Sequence, residues 1–216
     1  MGDSNLINPT IDLRPKLHCV RHQGRRFSCL AFATSAAHEH SIAAAEDLSP
    51  EYLFYHAVAR MPGSNPNAGT SFSAMADALS VEGQPVEAAW PYTPSTVTPW
   101  TLPAISFPMF KAVMKFGKLT FDEIITYLDA GRSIVLGLVI TDAFRYPDAI
   151  GVIADKTPDI ERGGHAVVAV GHGNLVNGDQ AILIRNSWGG GWGLAGHAWL
   201  SKAYIDLHLY ETALIS

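Results

Sequence analysis

The chain has 216 residues, of which 48% are hydrophobic and 16% are charged. A chain of this length and composition can bury a sizeable core, which excludes an intrinsically disordered protein. Its net charge of −5, with no basic run longer than Arg25-Arg26, makes nucleic acid a poor partner. Its longest apolar stretch, 134–140, is too short to span a bilayer.

Three helices are predicted in the first half of the chain. Residues 29–47 contain no Gly or Pro and are rich in alanine, which predicts a long helix with Ser28 as its N-cap. Ser49 and Pro50 are suited to the cap and the first helical position of a second helix. A third helix is expected over about 71–79, after a loop rich in Gly, Pro, Asn and Ser.

Strands are predicted in the second half. A Pro-rich crossover at 90–108, which also carries four aromatic residues, leads to a short helix at 121–130. Apolar strands are then expected at 134–140, 165–172, 181–185 and 198–200. Helices first and strands second indicate an α+β fold with two lobes.

Three side chains offer candidate catalytic chemistry. Cys29 stands in the first turn of the predicted long helix, where the helix N-terminus favours the nucleophilic thiolate. His165 begins an apolar strand, and Asn186 follows the end of the next one, so the chain offers the base and the orienting group that such a nucleophile needs. Two cysteines and nine scattered histidines match no zinc-ligand spacing, and no metal or other cofactor is expected.

The turn between the two strands constrains how His165 meets Asn186. If the two residues face each other directly, the connection has to be a wide loop across 173–178. A two-residue turn at Asn177-Gly178 would instead place His165 roughly 13 Å away along the strand. We therefore predict a wide loop, despite the hairpin signal that Asn-Gly gives.

Several motifs, in this order, resemble those of the papain-like (C1) cysteine peptidases. They are Gln-x5-Cys at 23–29, Asn-Ala-Gly at 67–69, Trp-Pro-Tyr at 90–92, Gly-His-Ala-Val at 164–167 and Asn-Ser-Trp-Gly-x-x-Trp-Gly at 186–193. In that family the histidine and the asparagine lie roughly 130–150 residues beyond the cysteine. The likeness covers most of the chain from about residue 11.

The resemblance implies the fold and its division. It implies a single papain-like catalytic domain over 1–216, with a helical N-terminal lobe at about 15–95. An antiparallel, β-barrel-like C-terminal lobe would occupy about 96–216, and the active-site cleft would lie between the two lobes.

The resemblance also implies a role for each catalytic candidate. Cys29 would be the nucleophile and His165 the general base and acid, the two resting as a thiolate–imidazolium pair. Asn186 would orient the imidazole, and Trp188 would shield that hydrogen bond from water. The Gln23 side-chain amide and the Cys29 backbone N–H would form the oxyanion hole.

Substrate-binding residues are implied at both walls of the cleft. Those that match family positions are Gly69, Ala68, Ser71, Gly164, Ala166 and Trp188. Phe27 and Ala68 stand where the family has glycines, which implies a narrower S1 subsite. The small residues around His165 imply a roomy, uncharged S2 pocket.

The function expected from these residues is a cysteine endopeptidase that forms a thioester acyl-enzyme on Cys29. Two alternatives stay open: a transpeptidase or peptide cyclase that uses the same acyl-enzyme, and a non-catalytic peptide-binding module. The expected partner is a polypeptide substrate, without nucleic acid or a membrane span, and the expected oligomeric state is a monomer.

The expected location is a reducing compartment. Arg26 stands where the family has a disulfide-forming cysteine, and the chain has only Cys19 and Cys29. Residues 1–5 carry no secretory-signal pattern, and the family's inhibitory propeptide is expected to be absent. We therefore expect a cytoplasmic protein, or one that is delivered from the cytoplasm without a classical signal peptide.

Overall fold

The computed structural model describes residues 7–96, 98–156 and 158–216. Residues 1–5, for which no secretory signal is predicted, lie outside these ranges. The helices are α1 (Cys29–Ser41), α2 (Pro50–Ala59), α3 (Phe72–Val81), α4 (Phe121–Asp129), α5 (Asp142–Arg145) and α6 (Lys202–His208). The strands are β1 (Pro9–Asp12), β2 (Met114–Gly117), β3 (Ile134–Thr141), β4 (Val152–Ile153), β5 (Glu161–Asn174), β6 (Gln180–Arg185), β7 (His197–Ser201) and β8 (Leu209–Ile215).

Side-chain caps fix the starts of α2 and α3 where the sequence predicts them. The Ser49 hydroxyl accepts a hydrogen bond from the Tyr52 N–H at 3.1 Å. The Ser71 hydroxyl accepts one from the Ala74 N–H at 3.2 Å. Each bond satisfies one of the backbone donors that a helix start leaves without an intrahelical acceptor.

Helix α1 ends earlier than predicted. It stops at Ser41, and Ala43 takes a left-handed backbone conformation with φ of 48°. The chain then folds back, because the Glu39 carboxylate accepts a hydrogen bond from the Leu48 N–H at 2.8 Å. This tertiary bond overrides the high helix propensity of the alanines in 42–47.

Helix α1 lies at the centre of the molecule. Every residue from 30 to 39 is buried, and the helix contacts α2 and α3 on one side and strands β3, β5 and β8 on the other. Its alanines allow these neighbours to approach closely. The molecule thus has a helical lobe and a sheet lobe that meet along α1, and the predicted lobe boundary near 95–96 stays a prediction.

The eight strands form one sheet in the order β2-β8-β3-β5-β6-β7-β4, and β1 pairs with β5 beside this path. All paired strands run antiparallel except β4 and β7. Among the described residues, the two end strands β2 and β4 do not pair with each other, so the expected barrel-like closure is wrong. At one end of the sheet, β4 has only two residues and pairs with β7.

The hairpin of β5 and β6 differs from its prediction. Its loop spans 175–179, since Asn174 already pairs with Gln180, so the predicted wide loop across 173–178 is wrong. A two-residue Asn-Gly turn is not formed either. At the other end Val168 pairs with Arg185, so continuing the ladder would place Val167, and not His165, opposite Asn186. A register shift between Ala169 and Gly171 contributes to this offset.

In the described part of the chain, no helix combines the length and the apolar character needed to cross a membrane.

Candidate active site

The N-terminus of α1 carries Cys29 as its first residue. Ser28 occupies the cap position but does not cap the helix; its hydroxyl lies 2.7 Å from the hydroxyl of Tyr92 instead. The predicted capping role of Ser28 is therefore wrong. The first N–H groups of the helix, those of Cys29 and Leu30, act on the Cys29 sulfur instead.

Gln23 is held rigidly beside this helix start. Its side-chain oxygen accepts a hydrogen bond from the Ser187 hydroxyl at 2.6 Å, and its side-chain nitrogen donates one to the Arg26 carbonyl oxygen at 2.8 Å. Its own carbonyl oxygen accepts from the Tyr92 hydroxyl at 2.6 Å. One amide hydrogen of the buried Gln23 side chain remains for another acceptor, as the expected oxyanion role requires.

The buried Arg26 side chain holds the loop between Gln23 and Cys29 in place. Its guanidinium pairs with the Glu51 carboxylate, and the two side chains are only 2% and 1% exposed. It also donates to the Thr93 carbonyl oxygen at 3.0 Å. The rings of Phe54, Tyr92 and Trp100 surround it at 5.0–5.2 Å from their centroids. A buried ion pair thus stands where the papain-like pattern has a disulfide.

His165 and Asn186 meet despite the offset of their strands. The His165 Nε2 lies 2.7 Å from the Asn186 side-chain oxygen. The Ser187 backbone N–H also donates to that oxygen at 2.8 Å, so this atom of the Asn186 side chain is the acceptor. Since an amide oxygen only accepts, Nε2 carries the hydrogen, and in the neutral ring Nδ1 keeps the free lone pair.

An aromatic cluster encloses the imidazole. Trp188 lies tilted against the His165 ring with the centroids 4.7 Å apart, and Phe144 contacts its edge at 5.7 Å. Trp192 packs against both Phe144 and Trp188. Trp188 therefore lies where we expected it, beside the hydrogen bond between His165 and Asn186. Together the rings shield that bond from water and hold the imidazole in one orientation.

The segment that follows Asn186 connects the two walls. Trp188 forms an isolated β-bridge with His22, and the Gln23 N–H donates to the Ser187 carbonyl oxygen at 2.8 Å. These bonds place the Gln23 loop and the Asn186 segment side by side at one end of the cleft. The structure therefore brings Gln23, Asn186 and His165 together. Cys29 lies near them, since the backbone amide of Ala166, the residue after His165, acts on its sulfur.

Burial controls the charge states of the candidate nucleophile and base. Burial raises the pKa of the Cys29 thiol, and nearby backbone amides, that of Ala166 first, offset part of this rise. Burial also lowers the pKa of His165 to about 4, against the opposite influence of Asn186. Both pKa shifts favour a neutral Cys29 thiol and a neutral His165 imidazole. This differs from the thiolate–imidazolium pair that we expected at rest. A thiolate–imidazolium pair forms here only where the attraction between its charges exceeds both desolvation costs.

The expected substrate-binding residues lie on both walls. Gly69 faces Phe27: a Cβ placed on Gly69 would lie 3.8 Å from the Phe27 carbonyl oxygen. Ala68 is half-buried beside it. Phe27 is 63% exposed, so its ring is not packed into the protein beside Cys29. Ser71 uses its hydroxyl as the cap of α3.

On the opposite wall, Gly164 and Ala166 flank His165 in strand β5. Ala166 is buried, and its backbone amide acts on the Cys29 sulfur. Gly164 is exposed and faces Tyr210, whose hydroxyl would lie 3.6 Å from a Cβ at this position. Tyr210 takes space in the pocket that we expected to be roomy. Sequence reasoning missed Tyr210, because no local motif marks it.

Other residues of the site were also missed. Arg26 and Glu51 are 25 positions apart, and no short motif links them. Phe144 lies in the short helix α5, which the sequence does not predict. A signal for Ser187 was present, since it directly follows Asn186 within the recognised motif.

A second polar cluster lies outside the cleft. His18, Glu39 and Asp47 bring possible ligand atoms within 4.8 Å of one another. Both ring nitrogens of His18 are already used, by Asp47 and the Ala44 carbonyl oxygen, each at 2.9 Å. Glu39 pairs with Arg21 at 2.8 Å. The cluster therefore joins α1 to the segments around it as a polar network.

Comparison with known proteins identifies related sequences. The family model described as papain family cysteine protease matches residues 7–213. An uncharacterized peptidase C1-like protein of Acanthamoeba polyphaga mimivirus is 35% identical over 79 residues, which are 35% of this chain and 24% of that protein. The match therefore spans about a quarter of the length of this curated relative.

Solved structures share the fold. Xylellain, a cysteine protease from Xylella fastidiosa, superposes with a TM-score of 0.78 at 23% identity, covering 97% of this chain and 86% of that one. The bromelain protease from Ananas comosus, in complex with the E64 inhibitor, gives a TM-score of 0.75 at 21% identity. That match covers 97% of this chain and 99% of bromelain. At these identities the likeness establishes the two-lobed fold.

Proposed function

Because the chain belongs to the papain family of cysteine proteases, we propose that it is an endopeptidase that hydrolyses polypeptides through a thioester on Cys29. The observation that carries this proposal is the His165–Asn186 hydrogen bond of 2.7 Å at Nε2. It leaves the Nδ1 lone pair as the only basic site of the neutral ring. Further support comes from the backbone amide of Ala166, the residue directly after His165, which lies near the Cys29 sulfur.

Acylation follows from these groups. The His165 Nδ1 accepts the thiol proton as the Cys29 sulfur attacks the scissile carbonyl carbon. The oxyanion is stabilised by the free Gln23 amide hydrogen and the Cys29 N–H, and a donor fixed in this way contributes ~3 kcal/mol to the transition state. When the C–N bond breaks, Nδ1 returns its proton to the leaving amine.

Deacylation repeats these steps with water as the nucleophile. Nδ1 takes a proton from a water molecule as its oxygen attacks the thioester carbonyl. The C–S bond then breaks, the product leaves as a carboxylic acid, and the sulfur recovers its proton. Trp188 and Phe144 support both steps by keeping the His165 ring aligned with Asn186.

Covalent labelling tests the proposal. An epoxysuccinyl thiol inhibitor should modify Cys29 and abolish cleavage of a fluorogenic peptide. The matched control is the exposed Cys19: Cys19→Ala should retain labelling and activity, whereas Cys29→Ala should lose both while keeping the wild-type circular dichroism spectrum. Peptide cleavage that persists in Cys29→Ala would refute the proposal.

The same experiment addresses a non-catalytic binding module. The exposure of Phe27 supports an enzyme, because a residue that is 63% exposed does not bury its ring over Cys29. A folded protein that binds peptides but neither cleaves them nor reacts with the inhibitor would favour the binding module.

The fate of the acyl-enzyme separates hydrolysis from ligation. Incubation with a peptide substrate and an added amine nucleophile, followed by mass spectrometry, should yield the hydrolysed acid as the main product. A ligated or cyclised main product would identify a transpeptidase or peptide cyclase instead.

We also propose that the protein works as a monomer in a reducing compartment. Support comes from Cys19 and Cys29, which are both unpaired, and from the ion pair of Arg26, which needs no oxidation. Sedimentation velocity and fractionation of the producing cells test the two statements separately. Recovery only from an oxidising compartment would contradict the second.

A further inference from the structure

A cavity lies at the end of helix α1 that is remote from Cys29. It has a volume of about 690 Å³ and is lined by the last turn of α1, the segment 131–133 and residues 215–216. Helix α1 runs from Cys29 to Ser41, so about 18 Å of helix separate this cavity, which we call the α1 pocket, from the nucleophile. Its volume is typical of small-molecule sites, and none of the residues assigned to the cleft lines it.

Three basic side chains line the α1 pocket. They are Lys16, His40 and Arg132, and no Asp or Glu is among the described residues that line it. Burial lowers the pKa of His40, and the charge of Lys16 lowers it further, so these two side chains lie close together. In a protein with a net charge of −5, a pocket with basic and without acidic side chains is expected to attract anions.

These basic groups keep donors for a ligand. The His40 Nδ1 lies 3.0 Å from the Ser133 hydroxyl, which leaves Nε2 for another partner. Arg132 uses Nη2 for the Ile215 carbonyl oxygen at 3.4 Å, and a guanidinium has five N–H donors. In the part of the chain that the structure describes, neither Lys16 nor Arg132 forms an ion pair. Their charges are therefore not neutralised by a carboxylate side chain.

The C-terminus of α1 does not need these cations as caps. Cations at a helix C-terminus can satisfy its last carbonyl oxygens. Here the carbonyl oxygens of residues 38–40 already accept hydrogen bonds from the backbone N–H groups of residues 42–44 at 2.9–3.3 Å. Lys16 and Arg132 therefore remain available to a ligand.

We propose that the α1 pocket binds a small organic molecule that carries a phosphate-type or sulfate-type dianion. The Lys16 ammonium supplies a point charge, and the Arg132 guanidinium supplies a planar fork for two oxygens. The His40 Nε2 supplies a third donor when Nδ1 accepts from the Ser133 hydroxyl. The organic part of the ligand would lie against the alanines that complete the wall. This site is independent of the peptidase chemistry in the cleft.

Isothermal titration calorimetry with inorganic phosphate tests the proposal, at pH 7 and at an ionic strength held constant with NaCl. The full chain carrying Cys29→Ala is used, so that binding is measured without cleavage. It should bind one phosphate, and adding Lys16→Gln or Arg132→Gln should weaken binding by about tenfold or more, the loss expected for one hydrogen bond to a charged group. Sulfate should compete with phosphate if the pocket recognises any tetrahedral dianion, whereas binding of phosphate alone would restrict the ligand to phosphates.

Lys115→Gln is the matched control. It removes the same charge from an exposed lysine on β2 that does not line the pocket, and it should leave the affinity unchanged. Lys16 is also exposed, so Lys16→Gln should keep the wild-type circular dichroism spectrum and carry the test even if Arg132→Gln does not fold.

Two results would refute the α1 pocket as an anion site. One is the absence of saturable binding at millimolar phosphate. The other is an equal loss of affinity in Lys16→Gln and Lys115→Gln, which would assign the binding to net charge alone. Neither result bears on the peptidase function, which is tested separately by labelling of Cys29.

Discussion

The two walls of the cleft are held in place by different kinds of interaction. On the helical side, a buried ion pair and a chain of hydrogen bonds fix the Gln23 loop and Cys29. On the sheet side, a hydrogen bond to Asn186 orients His165, two aromatic rings pack against it, and Trp192 packs behind those rings. The nucleophile wall thus depends on charge pairing, whereas the base wall depends on apolar packing.

The difference predicts different responses to mutation. On the nucleophile wall, removing one partner of the buried ion pair leaves the other charge buried and unpaired, which should destabilise the whole protein. On the base wall, loss of the hydrogen bond from Asn186 should change the alignment of the His165 ring, while the aromatic neighbours still hold that ring in the site.

The largest effect is expected from breaking the Arg26–Glu51 pair. Glu51→Leu should destabilise the protein by roughly 3–5 kcal/mol, because it leaves a buried guanidinium unpaired. The double variant Arg26→Met/Glu51→Leu should recover part of this loss. It removes both charges, but the Trp100 indole N–H still lacks the carboxylate that accepts from it at 2.6 Å in the wild type. Urea unfolding of the two variants measures the free energy of unfolding.

The exposed pair of Lys202 and Asp206 provides the control. Its side chains are each 49% exposed, so Lys202→Ala should cost no more than about 0.5 kcal/mol. Equal losses from Glu51→Leu and Lys202→Ala would show that burial of the Arg26 pair has no energetic consequence.

A smaller effect, on activity, is expected from Asn186→Ala. Without the acceptor the imidazole loses its fixed tautomer and orientation, and kcat should fall by roughly 10- to 100-fold, which corresponds to a hydrogen bond of about 1.5–3 kcal/mol. KM should change little, since Asn186 lies behind the ring and away from the substrate. A raised KM with an unchanged kcat would assign Asn186 to substrate binding instead.

The last effect is on stability and depends on pH. The pKa of His165 and that of His197 are each lowered to about 4, mainly by burial, from ordinary values of 6.5. Unfolded chains therefore bind protons at a higher pH than the fold does, so the histidine contribution is complete above about pH 6.5 and is lost as pH falls toward 4.

Calorimetry from pH 7.5 to 4.5 checks this prediction. The Tm should fall toward acid pH, and His165→Gln should show a shallower fall because one titrating group is gone. A Tm that stays constant in wild type, or an equally steep fall in His165→Gln, would show that His165 is not buried in its neutral form.

Much of the fold was predictable because its signals are local. Ser49 and Ser71 are typical N-cap residues. Each hydroxyl accepts a hydrogen bond from a backbone N–H only three residues later in the chain. The strand β3 is an unbroken apolar run. The His165 and Asn186 motifs likewise carry their flanking residues in sequence, so both residues could be assigned to one site.

The remaining features depend on contacts between distant segments. Ser28 is a good cap by type, but Tyr92 competes for its hydroxyl. The end of α1 depends on Glu39 reaching Leu48. Tyr210 lies over Gly137 at the point where the register of β8 against β3 shifts. None of these contacts has a periodicity or a spacing that can be recognised in one sequence.

The most direct test of the site is the rate at which iodoacetamide alkylates Cys29 at pH 6, in wild type and in His165→Gln. If His165 takes the thiol proton across the cleft, Cys29 should react about tenfold or more faster in wild type, while the exposed Cys19 should react equally in both proteins. Equal rates at Cys29 would contradict the account, because they would mean that the imidazole does not act on the sulfur.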